Sequence, residues 1–306
     1  MPSQFRPGQA KAPWLERGLL VYGPRKAGTT LFQNLLDGTS ELMAYPAELK
    51  LKYFARHPEK ASDFAVYYAK SRVTTAKSSA FNPGIYESLW AEALARRDMA
   101  SLGEFIRFDA WAVRRSLAAT GDPQMWCAKE VGGPTDFIVT NWRKMFPDGK
   151  VLLIVRDPLM VTRAVINDRQ RKGIRLSASQ IIRETLDPMR VAVAQSRYLN
   201  DPGVYLLAYE DLVADTVGTM TKVAAFLGIP YSPVLATPTL FGEAQVVRTS
   251  SRKTTEVFAS AQSWTEDLTA REIRIVSAAS KIAGRFARYR IDYPALRASM
   301  AQMQTA

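Results

Sequence analysis

The sequence predicts an α/β fold: a mainly parallel central sheet with helices on both faces. Three observations carry this. Short apolar runs alternate with longer stretches of helical periodicity, the pattern of strand–helix–strand units. The first run leads through a glycine-bearing turn directly into a helix. Each run also has charged residues at its C-terminal end, where open α/β sheets bind their ligands.

The first run is Leu19–Tyr22, followed by the turn Gly23–Gly28 and a helix that opens at Thr29 and stops at Gly38, within LLVYGPRKAGTTLFQNLL. A strand near Leu42–Tyr45 leads towards Glu48. A mostly helical region covers about 58–120, with a loop around Ser78–Gly84 and a break at Gly121–Pro123. Trp126–Glu130 (WCAKE) reads as a strand and Thr135–Phe146 as a helix. Lys150–Val155 (KVLLIV) is the clearest buried strand and ends in Arg156-Asp157-Pro158. Helices follow at about Met160–Arg171 and Ala178–Tyr198. Val204–Ala208 (VYLLA) is the last strand and runs into Tyr209-Glu210-Asp211. A helix over Val217–Leu227 closes at Gly228, and a final helix starts at Leu268-Thr269. Residues 1–17 read as a flexible lead and 18–306 as one domain containing the helical insertion at about 58–120.

The 306 residues are 47% hydrophobic and 23% charged, ordinary for a globular chain. One cysteine, Cys127, and one histidine, His57, exclude a disulfide framework and a Cys/His metal site. No metal site is expected, because no Asp/Glu cluster has ligand spacing. Lysine and arginine outnumber acidic residues 41 to 29, a net charge of +12. That surplus suits an anionic ligand. The clusters RQRKGIR and GRFARYR read as solvated faces rather than as a nucleic-acid surface. No run of about 18 apolar residues predicts a membrane span, and no apolar signal-peptide core precedes the first strand. The expected location is the cytoplasm, with peripheral membrane contact still open.

The turn after the first strand has the chemistry of a phosphate cradle. Helix-first N–H groups lack internal partners and face the positive end of the dipole. Arg25 and Lys26 add charge; Ala27 and Gly28 add backbone N–H groups; Thr29 and Thr30 add hydroxyls. The spacing departs from the nucleotide triphosphate pattern GxxxxGK[ST]: Thr29 occupies the lysine slot, and the lysine stands three places upstream. A lysine inside the loop suits a shorter anion, such as a 5′-phosphate with one further charged group. The simplest alternative is a tight strand-to-helix turn with no ligand.

These segments resemble the sulfotransferase family that uses 3′-phosphoadenosine 5′-phosphosulfate (PAPS). PRKAGTT is similar to its 5′-phosphosulfate motif, FPDGKVLLIVRDP to the approach to its 3′-phosphate motif, and AYEDL with a helix ending FLGIP to a further common segment. RTSS with the basic loop, SW and LT complete the series. The resemblance implies a P-loop NTPase-like sulfotransferase fold and a sulfuryl transfer to an acceptor hydroxyl on a carbohydrate or glycolipid. The products would include adenosine 3′,5′-bisphosphate, and no metal would be needed. It places Arg25, Lys26, Ala27, Gly28, Thr29 and Thr30 at the 5′-phosphosulfate and Arg156 at the 3′-phosphate. Ser250, Ser251, Arg252 and Lys253 fall over the nucleotide. Where the family has a serine, this chain has Ala164; Thr162 and Asn167 are the candidate substitutes. Lys26 is the expected transition-state cation, Glu48 the expected base and Lys129 a contact to sulfate or acceptor. His57 is the second candidate base, with an ordinary exposed histidine as the alternative. Two other readings remain at this stage. One is a P-loop kinase or NTPase using Asp157; the other is a sulfonucleotide-binding protein without turnover. Acceptor identity and oligomeric state are open.

Overall fold

A computed structural model describes residues 12–63, 73, 78–96, 99–118, 121–245, 247–248, 253–254, 257 and 263–303. Five strands form the central sheet: β1 (Gly18–Gly23), β2 (Leu42–Glu48), β3 (Met125–Val131), β4 (Lys150–Val155) and β5 (Val204–Ala208). Their order is β2-β3-β1-β4-β5, and every neighbouring pair is parallel. The reason lies in composition: β1 and β5 are buried at every position, as parallel strands covered on both faces must be.

Successive β1 side chains enter different cores. Leu20 and Tyr22 join one with Trp126, Trp142, Phe146 and Leu153. Leu19 and Val21 join the other with Phe32, Leu152, Ile154 and Val165. The period-two alternation of a strand therefore serves two apolar layers at once. In the first layer Trp126 packs 5.7 Å from Trp142 and 5.4 Å from Phe146.

Among the described residues the helices of seven or more residues are α1 (Thr29–Leu35), α2 (Pro83–Arg96), α3 (Leu102–Arg115), α4 (Thr135–Met145), α5 (Pro158–Arg171), α6 (Ala178–Ser196), α7 (Thr216–Leu227), α8 (Ala270–Ala283) and α9 (Tyr293–Met303). Local chemistry sets several starts. Ser101 with Glu104, Ser177 with Gln180 and Thr269 with Glu272 form capping boxes at α3, α6 and α8. Asp157 caps α5, and Gly228 ends α7 in the left-handed region at φ 74°. The fully buried Asp109 of α3 accepts hydrogen bonds from the Tyr86 phenol and, at 3.1 Å, the Trp90 indole, tying α2 to α3. Trp90, Trp111, Trp126 and Trp142 are all buried core residues.

Three expectations change. The lead does not extend to residue 17: Pro13–Glu16 is a helical turn that buries Trp14 and Leu15, and Trp126 Nε1 donates to the Leu15 carbonyl at 3.0 Å. β2 continues through Pro46 to Glu48, because an edge strand tolerates the missing N–H, and its register shifts between Ala44 and Glu48. The helix after Thr269 is followed by another, α9, which the sequence reading lacked. Residues 1–11 of the lead lie outside the described residues. Among the described residues, no helix is long and apolar enough to cross a membrane.

Candidate active site

β1 sits between β3 and β4, so its Gly23–Gly28 turn emerges between two other strand ends. Both glycines are required by close approach. A Cβ on Gly23 would lie 2.6 Å from the Ile154 carbonyl oxygen. Gly28 caps α1 at φ 98°, and a Cβ there would overlap the Tyr209 ring. No side chain caps α1. Thr29 is buried and Thr30 exposed.

Lys26 takes a left-handed backbone at φ 64°, unusual outside glycine. Its Nζ donates to Asp168 Oδ1 of α5 at 2.8 Å, and Lys172 reaches the other oxygen, also at 2.8 Å. Burial pushes the Asp168 carboxyl up, but the Lys172 and Lys26 ammonium groups outweigh it and hold it down at about 2. Arg25 Nη2 donates to Glu184 of α6 at 2.6 Å. The two loop cations are therefore anchored by two different helices, while 47% of the Arg25 side chain and 39% of Lys26 stay open to solvent.

Arg156 follows β4. Its Nη1 donates to the Lys26 carbonyl at 2.8 Å, and its guanidinium carbon stands 4.3 Å from the Tyr209 ring centroid. Its Nε is buried without a hydrogen-bond partner. Arg156, Tyr209, Glu210, Trp264, Tyr293 and Arg297 line a cleft of about 800 Å³, in which the Tyr293 phenol donates to Glu210. Ala164 is half-buried on α5. Of its two candidate substitutes, Thr162 is engaged: its hydroxyl donates to the Pro158 carbonyl at 2.8 Å. Asn167 is 8% exposed, and its Oδ1 has no partner. Asp157, the carboxylate a kinase reading needs, accepts from the Leu159 and Met160 N–H groups at 2.8 and 3.3 Å as the cap of α5.

On the other side of β1, Glu48 of β2 lies in register with Lys129 of β3. Glu48 accepts from Lys50 Nζ at 2.5 Å. Burial lowers the Lys129 ammonium pKa, and the Glu48 charge opposes that shift. Glu130, on the opposite face of β3, is fully buried and accepts from the Leu51 N–H at 2.7 Å. Its second oxygen is buried without a partner. Burial pushes its carboxyl up to about 7; the Leu51 hydrogen bond opposes this and the nearby Glu48 charge adds to it. His57 is half-exposed, 3.3 Å from Glu59 and packed beside the Tyr53 ring, an environment built from its own turn.

The structure thus groups Arg25, Lys26, Gly28 and Arg156 around one turn, and Glu48 with Lys129 at the adjoining strand ends. Ser250, Ser251 and Arg252 lie outside the described residues. Lys253 pairs with Arg248 in a two-residue antiparallel ladder. Sequence reasoning missed Asp168, Glu184 and the Tyr209 ring. Only Tyr209 had a local signal, its place directly after a buried strand. Among the described residues no group of three or more His, Cys, Asp or Glu side chains could hold a metal ion.

Residues 19–233 match the model of the Sulfotransferase family. No curated protein matches the sequence. Solved structures with a similar fold include a mouse sulfotransferase, SULT7A1, complexed with PAP, at 11% identity and TM-score 0.51, covering 95% of this chain and 90% of that one. A sulfotransferase domain from the Synechococcus PCC 7002 olefin synthase is 16% identical at TM-score 0.50, covering 94% and 93%. A sulfotransferase from Alicyclobacillus acidocaldarius is 13% identical at TM-score 0.50, covering 92% and 98%. At these identities the likeness is one of fold.

Proposed function

The chain belongs to the sulfotransferase family, and from that premise we propose that it transfers the sulfuryl group of PAPS to an acceptor hydroxyl on a carbohydrate or glycolipid. The observation that carries the reading is the convergence on one turn: Gly28 against Tyr209, Lys26 beside it, and Arg156 reaching back to the Lys26 carbonyl with a buried Nε left over. A closely packed glycine turn, beside the part-exposed Arg25 and Lys26 and an Arg156 Nε without a partner, fits a nucleotide carrying phosphate at two ends.

PAPS supplies an activated sulfuryl group and leaves as adenosine 3′,5′-bisphosphate. Arg25 and the N–H groups and hydroxyls from Ala27 to Thr30 hold the 5′ end, and Arg156 holds the 3′-phosphate. Ser250, Ser251, Arg252 and Lys253 cover the nucleotide; Ala164 leaves the 3′ site without the usual hydroxyl. Lys26 exchanges its Asp168 contact for the oxygen on which negative charge develops, the role in which a preorganised donor has most effect. Glu48 accepts the acceptor's proton as the new oxygen–sulfur bond forms, and Lys129 orients the sulfate or the acceptor. None of these steps calls on a metal ligand.

The test is calorimetric binding of adenosine 3′,5′-bisphosphate against Mg-ATP, on wild type and Lys26→Ala. Metal-independent binding that requires the 3′-phosphate, together with labelled transfer to a glycan acceptor, is the expected result. Preference for Mg-ATP would return the chain to the kinase reading. Tight nucleotide binding without transfer to any acceptor would leave a binding protein.

A further inference from the structure

Glu130 is a buried carboxyl to which the proposed transfer gives no task. It is 0% exposed and follows Lys129 on β3, its side chain on the opposite face. Keeping a carboxyl out of water costs stability unless it is bonded. Among the described residues only one of its oxygens has a partner: Oε2 accepts from the Leu51 N–H at 2.7 Å, and Oε1 is buried with none. That bond joins residues 79 apart in sequence. It lands on the first N–H of the helical turn Leu51–Phe54, which the preceding residue, Lys50, does not cap with its side chain.

The bond belongs to a clamp around one strained residue. Lys50 has a left-handed backbone at φ 54°, a conformation that is costly with a Cβ and persists where the surroundings impose it. On its N-terminal side the Leu49 N–H donates to the Lys129 carbonyl at 3.0 Å. On its C-terminal side the Leu51 N–H donates to Glu130. Consecutive residues of β3 thus hold both flanks of Lys50. Leu49 and Leu51 are buried, so water is not at hand to replace either acceptor. The turn they fix brings the Lys50 ammonium back to Glu48 Oε1 at 2.5 Å, and Glu48 pairs in register with Lys129.

We propose that Glu130 is a positioning residue for the transfer: through the Leu51 N–H it sets the Lys50 turn, and with it the placement of Glu48 beside Lys129. The role rests on the reading in which Glu48 takes the acceptor's proton. What the turn needs from residue 130 is an acceptor oxygen at the reach of a glutamate side chain, not its charge. Misplacing a reacting group by about 1 Å can cost roughly 10²-fold in rate, so a side chain with no exposed surface can still govern kcat.

The experiment compares the full wild-type chain with three variants. Glu130→Met has no carboxyl oxygen, Glu130→Asp keeps the charge but is one methylene short, and Glu130→Gln keeps both an oxygen and the length. Three quantities are read: labelled transfer from PAPS to p-nitrophenyl β-D-glucoside, calorimetric affinity for adenosine 3′,5′-bisphosphate, and amide hydrogen exchange over residues 48–54 by mass spectrometry. The expected result is a kcat lowered roughly tenfold or more in the Met and Asp variants and within about twofold of wild type in the Gln variant. Nucleotide affinity should be unchanged in all three, and exchange over 48–54 should rise only in the first two. In a Glu48→Gln background Glu130→Met should lower kcat no further. A wild-type kcat in the Met and Asp variants overturns the proposal, as does a Gln variant as impaired as Met. A parallel loss of nucleotide affinity, or a full additional loss in the Glu48→Gln background, overturns it too. Failure of the base reading looks different: Glu48→Gln alone leaves kcat unchanged, or wild type gives no transfer. Exchange then decides, and an unchanged rate over 48–54 in Glu130→Met overturns the positioning role.

Discussion

The Tyr209 ring occupies the space beside Gly28 that a Cβ would need. Gly28 is also at φ 98°, so two separate demands fall on one residue: absence of a side chain and a left-handed backbone. Through Tyr209 the constraint reaches Arg156, whose guanidinium lies on the same ring. The turn, the end of β4 and the end of β5 are therefore locked together before any ligand arrives.

Gly28→Ala should lower stability by about 1–3 kcal/mol from the left-handed strain and the overlap with Tyr209. It should also weaken adenosine 3′,5′-bisphosphate binding. Adding Tyr209→Ala should recover the part of the loss due to overlap but not the part due to φ. Thermal unfolding of the two single variants and the double variant separates these contributions; strictly additive losses would mean that the ring and the glycine do not interact.

Glu130 gives stability an unusual pH dependence. Its carboxyl is raised from an ordinary 4.5 to about 7, chiefly by burial. Between those values the unfolded chain gives up a proton that the folded chain keeps, so stability falls as pH rises through this window. The full penalty, at most roughly 3 kcal/mol, is present above pH 7. Glu130→Gln keeps an oxygen for the Leu51 N–H and removes the charge. It should melt higher than wild type at pH 8 and close to it at pH 4.5, a difference that paired thermal scans would show.

Much of this architecture is legible in the sequence, for a physical reason. A parallel strand covered on both faces is a continuous apolar run, so β1, β4 and β5 stand out, and the glycine turn after β1 marks its own ligand chemistry. β2 is less legible because Pro46 reads as a strand end, whereas an edge position accommodates it. α9 was hidden by Pro294 near its start, although Tyr293, Leu296 and Met300 keep helical spacing and are buried. The carboxylates that hold the loop cations leave no local trace. Asp168 is 142 residues from Lys26 and Glu184 is 159 from Arg25, and only the packing of α5 and α6 brings them together. The Thr162 hydroxyl illustrates the opposite limit. Its residue type allowed a phosphate role that its bond to the Pro158 carbonyl takes away.

The two base candidates differ in surroundings. Glu48 closes β2 in register with Lys129 of β3, the strand next to β1, whereas His57 interacts with Tyr53 and Glu59 from its own turn. Glu48→Gln should lower kcat by roughly 10²–10⁴ with little change in nucleotide affinity. His57→Ala should leave kcat within about twofold. Steady-state kinetics with one acceptor decides between them, and a large loss in His57→Ala with none in Glu48→Gln would reverse the assignment.

Lys26 carries the sharpest prediction because its present partner is known. Its ammonium group is held by Asp168, which Lys172 also neutralises. Lys26→Ala should therefore leave the fold intact, since Lys172 remains to pair the carboxylate and more than a third of the Lys26 side chain is already exposed. The effect should appear in kcat, reduced roughly 10²–10³-fold, if the charge acts on the departing oxygen. Asp168→Asn separates positioning from charge: the ammonium group remains but loses its anchor, so kcat should fall much less than in Lys26→Ala. If Lys26→Ala instead raised KM alone, the lysine would be a ground-state binding contact, and another cation, with Lys129 the next candidate, would have to meet the developing charge.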